Sequence, residues 1–142
     1  MEADQRGMTL IELMTVMVVL AILASIAIPS YRNYLIRANR SDAKSALMQV
    51  QAAQEKFYLQ NNAYTDKVGE GSPTGLGLAS TTTNGYYSIS VTLTGGGQSY
   101  TASAIPTTSG GQSADTKCGT FKVNDIGKRE VTGTQGVTTC WK

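Results

Sequence analysis

Between Met8 and Ile28 the chain carries a single ionisable side chain, Glu12, in a run otherwise dominated by Leu, Ile, Val, Met and Ala. As a helix this run is roughly 30 Å long, the thickness of a bilayer's hydrocarbon core, so it predicts a membrane-spanning helix with a carboxylate near one end. An acid at the centre of such a span costs about 2.5–3.5 kcal/mol and less toward its ends, and Glu12 stands roughly 6 Å inside the boundary set by Met8. Two solutions stay open: water and headgroups reach the carboxylate, or a cation brought by another molecule answers it.

Gly7, Met8, Thr9, Leu10, Ile11, Glu12 and Leu13 closely resemble the class III signal of type IV pilins and pseudopilins, with Met8 where that family usually has Phe. Pro29, at the end of the apolar run, also matches the family. The resemblance implies that a prepilin peptidase cuts between Gly7 and Met8 and that the new N-terminus at Met8 is N-methylated. It further implies that Glu12, flanked by Thr9, Leu10 and Ile11 in the assembly segment, pairs with the terminal amine of a neighbouring subunit. The partners implied are other pilin subunits, the peptidase and an inner-membrane assembly platform.

A standard secretory signal fits poorly. Met1 to Gly7 has no lysine, and the apolar run exceeds the roughly 7–15 residues of an ordinary signal core, which weighs against a cut after Ser25-Ile26-Ala27. Arg32, Arg37 and Arg40 follow the run while the leader nets negative, so the positive-inside rule alone would keep the rest of the chain in the cytoplasm. The resemblance places it outside: inner membrane as precursor, then extracellular pilus.

The chain has 142 residues, a net charge of +2, no histidine and two cysteines. Its slightly negative mean hydropathy, despite the apolar run, makes the remainder a polar domain with a modest core. The charge is too mild to support nucleic acid as a partner. Without histidine the commonest general base and metal ligand are missing, so no enzyme, cofactor or metal site is expected. Asp115, Asn124 and Asp125 suggest a calcium site, as some pseudopilins have, but no EF-type spacing appears. In an exported domain Cys118 and Cys140 are expected to form a disulfide, which closes a loop worth about 3 kcal/mol. The segment from Thr116 to Phe121 and the Cys140-Trp141 ending resemble the tail of minor pilins of the PilE type.

After Pro29 a broad apolar stripe, Tyr31, Leu35, Ala43, Ala46, Leu47, Val50, Ala53 and Phe57, follows the helical period to about Gln60. Pro29 predicts a kink or local loss of helix near Ala24 to Ile28. Arg37, Arg40 and Lys44 line up beside the stripe as a solvated flank, or as contacts to acidic groups of a neighbour or to lipid headgroups. A long irregular connection from Asp66 to Gly85, the αβ-loop of the resemblance, precedes a strand in which Tyr87, Ile89, Val91 and Leu93 alternate with Ser88, Ser90 and Thr92. Gly95 to Gly97 form a turn, since no helix or Gly-Lys-Ser/Thr follows to make a phosphate loop. Tyr100 to Ile105, Gly119 to Val123 and a short edge at Lys128 to Thr132 complete the strands.

The expected fold is α+β, the pilin fold: a long N-terminal helix packed on an antiparallel sheet of about four strands. The expected organisation is a leader at 1–7, the transmembrane and assembly half of the helix at 8–29, and a globular domain at 30–142 that includes the helix's amphipathic half. The expected function is a structural subunit of a type IV pilus, with a type II secretion pseudopilin as the alternative within the family. An anchored DNA- or surface-binding module is the alternative outside it.

Overall fold

The computed structural model describes residues 7–142, so the expected leader, apart from Gly7, lies outside the described residues. By its internal contacts the chain divides into two units, one ending at Leu35 and one covering Ile36–Lys142. The element order is helix α1 (Leu10–Asn61), strand β1 (Tyr87–Thr94), a 3-10 turn (Gly95–Gly97), β2 (Ser99–Pro106), a second 3-10 segment (Ser109–Ala114), β3 (Phe121–Asn124), β4 (Arg129–Val131) and the one-turn helix α2 (Val137–Cys140).

In the first unit every described residue is solvent-exposed in the isolated chain, from Met8 at 69% and Leu10 at 77% to Ile28 at 54%. Helix α1 is long and apolar enough to cross a membrane by length and composition. It stays helical through Ala24–Ile28 and past Pro29, so the local loss of helix expected there does not occur. The proline's missing N–H deprives only the Ser25 carbonyl of its intrahelical donor, a loss one turn of helix can absorb.

The second unit is a helix-on-sheet layer pair around one core. The sheet runs β1-β2-β3-β4, antiparallel throughout. Its register pairs Ile89 with Ala104 and Val91 with Ala102, and sets Ala102 opposite Val123 and Ala104 opposite Phe121. Because side chains alternate faces, Tyr87, Ile89, Val91, Tyr100, Ala102, Ala104, Phe121 and Val123 all fall on one buried face. The helix answers with Arg40, Ala43, Leu47, Val50 and Gln54, a seam spaced three and four residues apart.

That seam corrects the expected stripe. Ala43, Leu47 and Val50 are in it, Ala46 packs at its margin, and Tyr31 and Leu35 are exposed instead. Polar residues end the seam, each with its partner. The Gln54 amide exchanges two hydrogen bonds with the backbone of Thr65, Nε2 donating to the carbonyl at 2.6 Å and Oε1 accepting from the N–H at 3.2 Å. This imitates a strand pair and anchors the start of the long connection after α1.

The turn between β1 and β2 needs glycine. Gly95, Gly96 and Gly97 all have positive φ, at 60°, 66° and 87°, and the Gly97 carbonyl accepts the Tyr64 N–H at 2.8 Å. At the other end a Cβ on Gly133 would collide with the Lys117 carbonyl, which lets the tail run against the first cysteine. There Cys118 and Cys140 form a disulfide. Trp141 stacks edge-on against Phe121 at 5.6 Å, Arg129 lies 4.9 Å above its ring, and its indole N–H donates to the Glu130 carbonyl at 3.4 Å.

Candidate functional site

Helix α1 begins at Leu10 because Thr9 caps it. The Thr9 hydroxyl accepts the Glu12 N–H at 3.3 Å, and the Glu12 carboxylate turns back to accept the Thr9 N–H at 3.2 Å and the Thr9 hydroxyl at 3.1 Å. This is a capping box, in which each side chain accepts the other residue's backbone N–H, a donor without an intrahelical partner. The motif Thr9-x-x-Glu12 is legible in the sequence by that rule, yet Glu12 reads there only as an unanswered carboxylate.

The cap gives Glu12 a local partner and holds it at the helix start, where the macrodipole also favours an anion. It does not bury it: Glu12 is exposed, and so are Met8, Thr9, Leu10, Ile11 and Leu13 around it. The structure therefore brings the expected assembly residues together on one accessible first turn. Gly7 precedes them in open space, with nothing within 4 Å of where a Cβ would stand. The folded chain itself makes no steric demand for glycine at this position.

A second polar constellation lies in the globular unit, and residue patterning missed it. Arg40, one of the expected solvated cations, is buried and forms a bidentate pair with Asp115, Nε to Oδ2 and Nη2 to Oδ1, both at 2.8 Å. Asp115 Oδ1 also accepts the Cys118 N–H at 3.2 Å, so one carboxylate ties the helix to the base of the disulfide loop. Beside it Gln112 is fully buried and donates to the Tyr87 hydroxyl at 2.7 Å and to the Ile36 carbonyl at 3.2 Å. Of the expected row, Arg37 alone is fully exposed, while Lys44 is half-buried and reaches the backbone carbonyl of Lys142.

Burial pushes the Tyr87 hydroxyl well above the ordinary tyrosine range, and nearby Asp115 pushes it the same way. Burial raises Tyr100 likewise, followed by the charge of Glu55. Of the three residues weighed for calcium, Asp115 is spent on Arg40, and Asn124 Oδ1 accepts the Lys128 N–H at 2.7 Å. Among the described residues no group of three or more His, Cys, Asp or Glu side chains is placed to hold a metal.

The geometry is that of a subunit: a capped apolar helix start with an accessible carboxylate, and a small domain locked by internal polar pairs. Two family models match it, one described as the prokaryotic N-terminal methylation motif over residues 3–28 and one described as the type IV minor pilin ComP, DNA uptake sequence receptor, over residues 29–122. The type IV major pilin protein PilE1 of Neisseria gonorrhoeae is 34% identical over 96 residues, covering 68% of this chain and 43% of that protein. The type IV major pilin protein PilA of Myxococcus xanthus is 42% identical over 65 residues, covering 46% and 30%. The type II secretion system core protein G of Pectobacterium carotovorum is 38% identical over 60 residues, covering 42% and 38%. The chain thus spans less than half the length of these curated relatives. A type IV pilin structure from Shewanella oneidensis superposes with a TM-score of 0.51 at 29% identity, covering 75% of this chain and 98% of that one. On the match over residues 29–122, joined to the motif that precedes it, this chain belongs to the type IV minor pilin family.

Proposed function

We propose that the chain is a structural subunit of a type IV pilus, cut by a prepilin peptidase after Gly7, methylated at Met8 and polymerised through its apolar helix. The observation that carries this reading is the helix surface itself: its large apolar side chains from Met8 to Ile28 are all more than half exposed, far beyond what a stable soluble monomer leaves uncovered. Lipid covers that surface in the inner-membrane precursor, and the helices of other subunits cover it in the extracellular fibre. Glu12 then exchanges its cap for the amine of a neighbour's first residue, an ion pair within the helix core. The domain scheme is a leader at 1–7, an assembly segment at 8–29 and a globular part at 30–142. Mass spectrometry of the chain recovered from sheared fibres tests this: the first residue should be methylated Met8. A chain that keeps Gly7, or is absent from fibres while abundant in the cell, contradicts it.

A second reading, DNA capture by the assembled subunit, is favoured by the description of the family model over residues 29–122. The tail supplies exposed cations, Lys117, Lys128 and Arg129, although Lys128 is already paired with Glu130 at 2.7 Å. Fibres carrying this subunit should then retain duplex DNA with an affinity that falls steeply with salt. Retention equal to that of fibres lacking it removes this reading.

A further inference from the structure

Just past its apolar stretch the helix changes chemistry. Ser30-Tyr31-Arg32-Asn33-Tyr34 follows Pro29, with Tyr31 and Tyr34 exposed by 62% and 61% and Arg32 exposed beside them. At 1.5 Å per residue, Tyr31 lies about 35 Å along the axis from Met8, beyond a hydrocarbon core of about 30 Å and within the headgroup layer of a bilayer. At 3.6 residues per turn, the three side chains spread over about 160° of the circumference, so they ring nearly half the helix rather than form one packing face. Arg32 forms no ion pair among the described residues, and the nearest carboxylates in the sequence, Glu12 and Asp42, stand ten or more residues away.

Each residue type suits that depth. A tyrosine ring sits in the acyl boundary with its hydroxyl in the wet layer. A guanidinium presents a planar fork that fits a phosphate by two hydrogen bonds, and anionic lipid adds a surface potential that attracts it. On an in-register second copy of this helix the nearest carboxylates, Glu12 and Asp42, again stand ten or more residues from the level of Arg32, so an aligned like chain does not supply the complementary charge.

We propose that Tyr31, Arg32 and Tyr34 form an interfacial collar that binds the phosphate of an anionic phospholipid headgroup while the chain is stored in the membrane. This rests on the membrane-stored precursor described above and names its lipid partner. The collar fixes the depth of the helix at its outer end, as the carboxylate of Glu12 marks its inner end.

The test reconstitutes the full chain into vesicles of equimolar phosphatidylcholine and phosphatidylglycerol. Alkaline extraction reports insertion, and native mass spectrometry counts the lipids retained on release. The expected result is retention of phosphatidylglycerol over phosphatidylcholine by about fivefold, the effect of one cation at an anionic surface. Arg32→Gln should abolish that preference with insertion unchanged, and Arg32→Lys should keep part of it. A wild-type chain that inserts but shows no preference overturns the collar and leaves the membrane-stored reading standing, as does a preference that Arg32→Gln leaves untouched. A wild-type chain that fails to insert overturns both.

Discussion

The two units solve opposite problems. In the first, apolar side chains such as Leu10, Val19 and Leu20 face solvent in the isolated chain. In the second, polar side chains such as Arg40, Gln54, Gln112 and Asp115 are buried. The buried polar groups are tolerable because nearly every one is paired, whereas none of the described residues covers the exposed apolar ones. The contrast separates what a single chain completes by itself from what it leaves for other molecules to complete.

The sharpest way to break this contrast is to orphan one buried charge. Arg40→Met leaves Asp115 unpaired inside the protein and should cost about 3–5 kcal/mol in denaturant unfolding of the chain held in detergent micelles. Adding Asp115→Leu should restore much of that loss. A double variant as unstable as the single one would mean that the pair's contribution is packing rather than charge.

A matched truncation compares the two units directly. Leu47 is fully buried and Leu20 is 54% exposed, though both lie on α1. Leu47→Ala should cost about 2–5 kcal/mol, while Leu20→Ala should stay within about 0.5 kcal/mol by the same measurement. Equal effects would erase the distinction between a self-contained core and a surface awaiting partners.

Two tyrosines sharpen the picture within the core. The Tyr87 hydroxyl accepts from Gln112, whereas the buried Tyr100 hydroxyl has no hydrogen-bond partner among the described residues. Tyr87→Phe should therefore cost about 1 kcal/mol and Tyr100→Phe close to nothing. Both hydroxyls are raised above the ordinary tyrosine range by burial. The sign follows from which state ionises first. Below about pH 10 neither state is charged, and above it the unfolded chain ionises while the folded one resists, so stability falls as pH rises. Either Phe variant should flatten that alkaline loss, read as Tm against pH.

Much of the fold is legible in the residues. Alternation at Tyr87, Ile89, Val91 and Leu93 marks β1, the glycine run marks the hairpin turn, and Asn61-Asn62 marks the end of α1. The four-strand antiparallel sheet follows from these local signals. What escaped was set by partners far away in sequence. Hydrophobic periodicity assigns the seam to apolar residues only, so it skips Arg40 and Gln54, which occupy seam positions because Asp115 and Thr65 meet them there. Gln112 lies between two expected strands in a stretch rich in Thr, Ser and Gly, where no apolar pattern points to a buried side chain. The 3-10 winding around it is broken by positive φ at Gly110 and Gly111, a local path that composition does not reveal. At the helix start the signal was present in Thr9-x-x-Glu12. The capping pattern there coincides with a carboxylate at the start of an apolar run, and the local bonds to Thr9 give that carboxylate a partner.

Glu12 thus has two roles to separate, capping its own helix and pairing with a neighbour. Incorporation into fibres, measured by quantitative mass spectrometry of sheared material from cells making either Glu12→Val or Thr9→Val, separates them. Each variant breaks one half of the capping box: Thr9→Val loses the hydroxyl that accepts the Glu12 N–H, at a cost of about 0.5–2 kcal/mol to the helix start, and Glu12→Val loses the carboxylate that accepts the Thr9 N–H, so only Thr9→Val keeps the carboxylate. Glu12→Val should be made and cut yet nearly absent from fibres, while Thr9→Val should be incorporated close to wild type. Glu12→Val subunits present in fibres at wild-type levels would contradict the account.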